Sequence, residues 1–241
     1  MFIKIVIVLL LLIVAASLLT GRGETTRQAA APSRVRPMMQ KMALILLALG
    51  AAVALIHLTT GCNPAPGTFH TTEVKDAQYG RMATLDALTD HRGRRLASTD
   101  FSGKAVVVFF GYTQCPDICP TALTTMKETL RLLGTEADRV QVLFVTVDPE
   151  RDTQEVLAGY VPWFDPRILG LRTDMATTLE LAKEFRVYFR KVEGGSAIGY
   201  SIDHTAVSYA FDPQGRLRLL IRDGTAPAHI AEDLQKLLAG S

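Results

Sequence analysis

The run "KAVVVFF", from Lys104 to Phe110, constrains this chain more than any other stretch. β-Branched and aromatic residues follow one another without a polar break, the pattern of a strand buried in a sheet. It leads at once into "GYTQCPDICPT", Gly111 to Thr121, and then into the helical "PTALTTMKETLRLLG". Pro120 suits the first position of that helix and Gly134 its C-terminal cap. Two of the chain's three cysteines, Cys115 and Cys119, stand four apart in this strand-to-helix connection, each followed by proline. Such a pair is a structural staple, a redox couple or a grip on a soft metal.

The rest of the chain supplies a scaffold for the pair. "VQVLFVTVD" reads as a second buried strand, and "TQEVLAGYV" and "DMATTLELAKEF" read as helices, the latter opening on Asp174 as N-cap. "HTAVSYAFD", the turn "DPQG" and "RLRLLIR" form a hairpin. "APAHIAEDLQKLLAG" is a last helix with Ile230, Leu234, Leu237 and Leu238 on one face. Ahead of the first strand, "RMATLDALTDHRGRRLASTDF" alternates about the polar turn "DHRGR" and predicts another hairpin. This order predicts an α/β sandwich of the thioredoxin type over residues 80–241.

Two apolar runs precede it, Ile5–Leu19 and Met42–Ile56. Each is shorter than the roughly 20 residues that span a bilayer comfortably, so either also fits the apolar region of a signal peptide. Residues 38–62 read as an export or anchoring segment: Met38, Met39 and Lys41, an apolar stretch, then "LTTGC" ending at Cys62. That ending resembles the cleavage box of bacterial lipoproteins, in which the new N-terminal cysteine is lipidated; Thr59 stands where the pattern favours leucine. Lipidation at Cys62 and an uncleaved anchor are the two readings. Residues 1–37 are an additional hydrophobic segment with a basic loop left in the cytoplasm, or a mis-assigned start preceding Met38 or Met39. Residues 63–79, opening with Pro and Gly and short of aliphatic side chains, read as a tether. Either way the domain lies outside the bacterial cytoplasmic membrane, facing the periplasm. There an isolated dithiol closes to a Cys115–Cys119 disulfide unless a reductant or a metal keeps it open. The net charge is only +2 and the basic residues do not cluster in the folded part, which argues against a nucleic-acid partner.

Cys115 and Cys119 lie at a helix N-terminus, where free N–H groups and the helix dipole favour thiolates, so both should be acidic. Their spacing is one residue wider than in thioredoxin-like dithiols, which favours holding an ion over rapid disulfide exchange. A good soft-metal site needs a third ligand. Of the five histidines, His57 lies in an apolar segment, His70 in the tether, His91 in a polar turn and His229 on the outer side of the last helix, all incidental. His204 opens a strand in "SIDHTAVSYAF", with Asp203 beside it to orient its ring, and is the candidate third ligand. Asp148 and Asp152, in "DPERD", read as exposed charges of a strand-end turn, ahead of a partner contact or a place near the metal, and Asp117 as a residue that tunes the cysteine loop. Met126 reads as core and Trp163 as a loop anchor.

"GYTQCPDICP", "VTVDPERDT" and "DHTAVSYAFDPQGRL" together resemble the Sco/SenC proteins over about Tyr79 to Gly240. The resemblance implies a membrane-tethered copper chaperone of thioredoxin-like fold that takes part in cytochrome c oxidase assembly. It places the copper ligands on Cys115, Cys119 and His204, and it implies the dinuclear copper centre of oxidase subunit II as the destination. Other copper carriers or thiol reductants would be further partners. The donor chemistry agrees: thiolates select Cu(I), imidazole suits Cu(II), and a mixed set holds either. Zinc can use the same three ligands with a water, but ranks below copper because it needs no redox-active thiols. The competing reading is an enzyme, a thiol–disulfide oxidoreductase acting on the cysteines of subunit II or of other exported proteins. A peroxidase of the peroxiredoxin type needs threonine three places before its cysteine, where Tyr112 stands.

Overall fold

The structure is a computed structural model. The chain divides into two units, Met1–Asn63 and Pro64–Ser241. Residues 68–194 and 199–240 are described in the second, and Leu46 and Gly50 in the first. The first hydrophobic segment, the second apart from Leu46 and Gly50, Cys62 and His57 lie outside the described residues, among which no helix is long and apolar enough to cross a membrane.

Seven strands form one sheet. In chain order they are β1 (Thr72–Glu73), β2 (Thr89–Asp90), β3 (Ala105–Gly111), β4 (Val140–Thr146) and β5 (Leu169–Arg172). After a separate pair, β6 (Phe189–Glu193) and β7 (Tyr200–His204), come β8 (Val207–Phe211) and β9 (Leu217–Arg222). The order across the large sheet is β1-β9-β8-β3-β4-β5-β2, while β6 and β7 form a two-stranded antiparallel sheet of their own. The apolar run of the sequence is β3, buried over its whole length at the centre of the sheet, parallel to β4 and antiparallel to β8.

Among residues 68–240 four helices accompany the strands: α1 (Ile118–Leu133), α2 (Gln154–Phe164), α3 (Met175–Phe185) and α4 (Pro227–Ala239). Successive side chains of a strand point to opposite faces. Phe109 and Phe144 meet at 6.1 Å on the face covered by Tyr160 of α2, 5.8 Å from Phe144. α1 lies beside α2 and α4 returns along α1. Phe110 points the other way, to Phe185 of α3 at 5.0 Å and Tyr209 at 6.1 Å. Burial on both faces explains why β3 reads as unbroken hydrophobicity.

Several expectations hold in detail. Asp174 caps α3 by accepting the Thr177 N–H at 2.9 Å, Gly134 ends α1 with φ 56°, and the four apolar residues assigned to the last helix face are buried. Others are corrected. α1 starts two residues before Pro120, so Cys119 belongs to its first turn. The hairpin expected over 81–101 shrinks to the tight turn at Asp90–Arg94 and a single bridge between Thr89 and Arg95, flanked by 3-10 turns. Part of the segment expected as a tether belongs to the fold: Thr72 and Glu73 add a strand to the sheet edge, and Asp233 accepts the Thr71 N–H at 2.8 Å. Trp163 lies on α2 with 78% exposure and anchors no loop.

Candidate metal centre

The thiols are set by how β3 ends. A Cβ added at Gly111 would lie 2.7 Å from the Cys119 sulfur and 2.9 Å from the rings of Phe109 and Phe144. Glycine is therefore what lets the first turn of α1 press its thiol against the end of the strand. Beyond it, the Cys115 N–H bonds the Tyr112 carbonyl at 3.3 Å, folding the loop back. Asp117 is the N-cap of α1, yet its side chain makes no capping bond. The Cys115 sulfur accepts the Cys119 N–H at 3.4 Å instead, so a thiolate does the work of a capping oxygen.

Cys119 is wholly buried and Cys115 partly exposed, and both thiols are free. His204 Nε2 stands 3.4 Å from the Cys119 sulfur. Its Nδ1 lies 3.2 Å from the Thr205 carbonyl. Nε2 is the ring nitrogen turned toward the sulfurs: with its proton it donates to a thiolate, and without it, it offers a metal its lone pair. Phe109 and Tyr112 flank the imidazole nearly edge-on, at 6.0 and 5.8 Å. One ligand atom from each of Cys115, Cys119 and His204 falls within 4.8 Å of the others. Ligands bound at about 2.0–2.3 Å to one ion lie roughly 3–4.6 Å apart, so this set closes on a metal with little movement.

The two thiols do not titrate alike, which corrects the expectation that both are acidic. Cys115 is held far below the ordinary thiol value, first by the hydrogen bond from Cys119, then by bonds from His204 and the N–H groups of Asp117 and Cys119, against the cost of burial. Cys119 is pushed up, first by giving its proton to that hydrogen bond, then by burial and by the charge on Cys115. The pair therefore shares one proton, which a cation bound by both sulfurs would displace.

The DPERD turn is the clearest misreading. Asp148 and Asp152 are completely buried. Asp152 accepts the Thr113 N–H at 3.1 Å, the Thr113 hydroxyl at 2.6 Å and the Thr146 hydroxyl at 2.5 Å, fastening the cysteine loop to the end of β4. Burial raises its pKa against those bonds. Asp148 accepts from Arg151 Nε and, at 2.9 Å, from the Tyr200 hydroxyl.

The remaining histidines lie elsewhere. His70 stacks on His229 at 4.3 Å and bonds Glu232 at 2.7 Å. His91 is buried, not solvated: its Nδ1 accepts the Gly170 N–H at 3.0 Å, and burial is the main cause of its lowered pKa. His204 also differs in detail from expectation. It closes β7 instead of opening the next strand, and Asp203 pairs with Arg190 at 3.3 Å instead of orienting the ring. Sequence reasoning missed Gly111, Tyr112 and Arg151 as parts of the site. The signals available were a glycine at a strand end facing a helix, and charged residues directly after a largely buried strand.

A thioredoxin-type sheet whose strand-to-helix turn aims two thiols at an imidazole defines a thioredoxin-like protein with a soft-metal ligand set. The SCO1/SenC family pattern matches residues 82–239, and the chain belongs to that family. It is 39% identical over 150 residues to the mitochondrial SCO2 homolog of Bos taurus, covering 61% of this chain and 55% of that one. It is 32% identical over 173 residues to the SCO2-like protein RP587 of Rickettsia prowazekii, covering 71% and 82%. The chain spans about half to three-fifths of the first curated relatives it matches. Among solved structures it resembles Bradyrhizobium japonicum ScoI with copper bound, at 38% identity and TM-score 0.60, over 67% of this chain and 99% of that one. It also resembles yeast Sco1 with copper bound, at 30% identity and TM-score 0.57, over 64% and 86%.

Proposed function

We propose that this chain binds one copper ion through Cys115, Cys119 and His204 and passes it to the dinuclear copper centre of cytochrome c oxidase subunit II. The carrying observation is the 3.4 Å approach of His204 Nε2 to the Cys119 sulfur. Disulfide exchange needs two sulfurs and no imidazole, whereas a metal cargo that changes between Cu(I) and Cu(II) is held better by sulfur and nitrogen together. Copper in the related ScoI and Sco1 structures supports the cargo, and family membership supports the oxidase destination. In this reading the domain sits on the periplasmic side of a bacterial cytoplasmic membrane, anchored through lipidated Cys62 or an uncleaved segment.

One observation favours a second reading, a thiol–disulfide oxidoreductase. A partly exposed thiolate at a helix N-terminus beside a buried protonated thiol is the arrangement in which one sulfur attacks and the other resolves. The disulfide would then be Cys115–Cys119.

Titration with Cu(I) and Cu(II) under anaerobic conditions separates the two. The chaperone reading expects one copper per chain, and loss of stable Cu(II) in His204→Ala with only a modest loss of Cu(I). A Cu(II) spectrum that survives His204→Ala unchanged would leave the oxidoreductase.

A further inference from the structure

His204 is not carried by the large sheet. It ends β7, one of two strands whose only ladder among the described residues is to each other. Two-stranded ribbons are marginal alone, so something must hold this one at the height at which Nε2 meets the sulfur. The Tyr112 hydroxyl accepts the Ile202 N–H at 3.2 Å, and Lys191 reaches Glu150 at 2.6 Å, an exposed pair. The Tyr112 bond and the buried Ile202 side chain hold the middle of β7; the connection at its start is Arg151, whose side chain is only 14% exposed.

The Arg151 guanidinium bonds three ways at once. Nε donates to buried Asp148, Nη1 donates to the Tyr200 carbonyl of β7 at 2.8 Å, and the plane lies over the Tyr200 ring at 3.6 Å. The Tyr112 ring lies 5.7 Å from the guanidinium, and Tyr112 is itself one of the two rings that flank His204. The Tyr200 hydroxyl completes the loop by donating to Asp148 at 2.9 Å. Arg151 Nη2 is buried with no partner among the described residues. The bonds of Nε and Nη1 and the stacked plane use the geometry of a planar fork, which a lysine cannot reproduce.

We propose that Arg151 is a positioning residue for the third ligand: seated on buried Asp148, it clasps Tyr200 and sets the depth at which β7 presents His204 to the two sulfurs. It touches no metal itself. The hydrogen bonds of the clasp run to Asp148 and Tyr200 and those that fasten the cysteine loop run to Asp152, so loosening the clasp lets His204 withdraw while the two thiols stay in place, a simple way to lower the coordination number when the ion is handed on. The inference rests on the copper reading for its purpose, but not for its geometry.

The test uses the full chain with Arg151→Gln, Arg151→Lys and Tyr200→Phe. In the metal-free protein, hydrogen exchange of the Ile202 amide should quicken at least tenfold in Arg151→Gln and Arg151→Lys, and by less in Tyr200→Phe, with β3 and β4 amides unchanged. With metal, Arg151→Gln should lose Cu(II) at least tenfold and Cu(I) less than threefold, and should add nothing to the loss in a His204→Ala background. Unchanged Ile202 exchange, equal acceleration throughout the domain, or an undiminished further loss in that background each overturns the proposal. Should Arg151→Gln not fold, Tyr200→Phe, which deletes one hydroxyl, decides by the same readouts. If the wild type shows no His204-dependent Cu(II) binding, the copper reading fails, while the exchange data still decide the clasp.

Discussion

The cysteines and the histidine reach one point from two unlike parts of the molecule. The thiols stand where β3, buried at every residue, turns into α1, with packed helices on one face and α3 on the other. His204 stands at the end of a two-stranded ribbon in which β6 has no buried residue and β7 only Ile202. The cysteine half is held mainly by apolar packing, with Asp152 fastening its loop; the ribbon sets buried Ile202 and half-buried Phe189 and Tyr200 against the core and otherwise relies on polar contacts. Packed cores open rarely, and small hydrogen-bonded ribbons open at far lower cost. A carrier that must grip and release gains from that asymmetry: a fixed pair of soft ligands and one ligand that can leave.

The largest expected effect removes the fixed half. Cys115→Ser or Cys119→Ser should abolish tight copper binding, since one sulfur cannot chelate, while the fold survives. Bound metal after dialysis against a chelator is the measurement, and stoichiometric copper in either variant would break the assignment. Gly111→Ala attacks the same half through packing. Its Cβ would meet the Cys119 sulfur at 2.7 Å and two rings at 2.9 Å. Overpacking of this kind costs about 1–3 kcal/mol, read from denaturant unfolding, with weaker copper retention because the sulfur must move. Stability unchanged in that variant would show that the strand end is looser than the contacts imply.

How legible the two halves were follows the same division. β3, α1 and the paired thiols could be read from residues 104–134 alone, because an apolar run and helix punctuation are local signals. β5, four residues long, and the β6–β7 ribbon were not read, since "FRKVE" and "YSIDH" owe their conformation to each other and to a distant turn, not to a burial pattern of their own. His204 was found largely by setting aside four other histidines, and the reason given for its orientation, Asp203, was wrong. Asp148 and Asp152 look exposed in sequence because the groups that neutralise their burial, Thr113, Thr146, Arg151 and Tyr200, come together only in the fold. Buried carboxylates declare themselves through partners, and partners far apart in the chain leave no local trace.

A smaller effect concerns the proton shared by the thiols. Cys119 is the first cause of the lowered Cys115 pKa, so Cys119→Ala should return Cys115 toward ordinary thiol behaviour. In the metal-free wild type, alkylation of Cys115 should stay on its plateau down to about pH 5, whereas in Cys119→Ala the rate should fall below the usual thiol range. The sign for stability follows from linkage. A depressed folded-state pKa stabilises above the unfolded thiol value, and that contribution is lost as pH falls through the folded value. Cys119, shifted upward, acts in the opposite sense, losing its contribution as pH rises past the ordinary thiol value. Identical alkylation profiles in the two proteins would show that His204 and the helix N-terminus activate Cys115 without Cys119.

The smallest effect tests the other half where it looks most vulnerable. Asp203 precedes the ligand histidine and invites the view that its carboxylate steers the ring. In the fold it points away: it pairs with Arg190 at 3.3 Å, with both side chains more than half exposed. The ring is set instead by the Thr205 carbonyl at Nδ1 and by Phe109 and Tyr112 at its sides. Exposed ion pairs contribute about 0–1 kcal/mol and are screened by salt. Asp203→Asn should therefore leave Cu(II) affinity within about twofold and the sulfur-to-copper absorption band unmoved, since an effect below 1 kcal/mol is at most a few-fold in an equilibrium constant. A shifted band, or a tenfold loss that salt does not abolish, would mean that the ribbon is held by its surface charges. The buried Arg151 clasp would then be the lesser restraint.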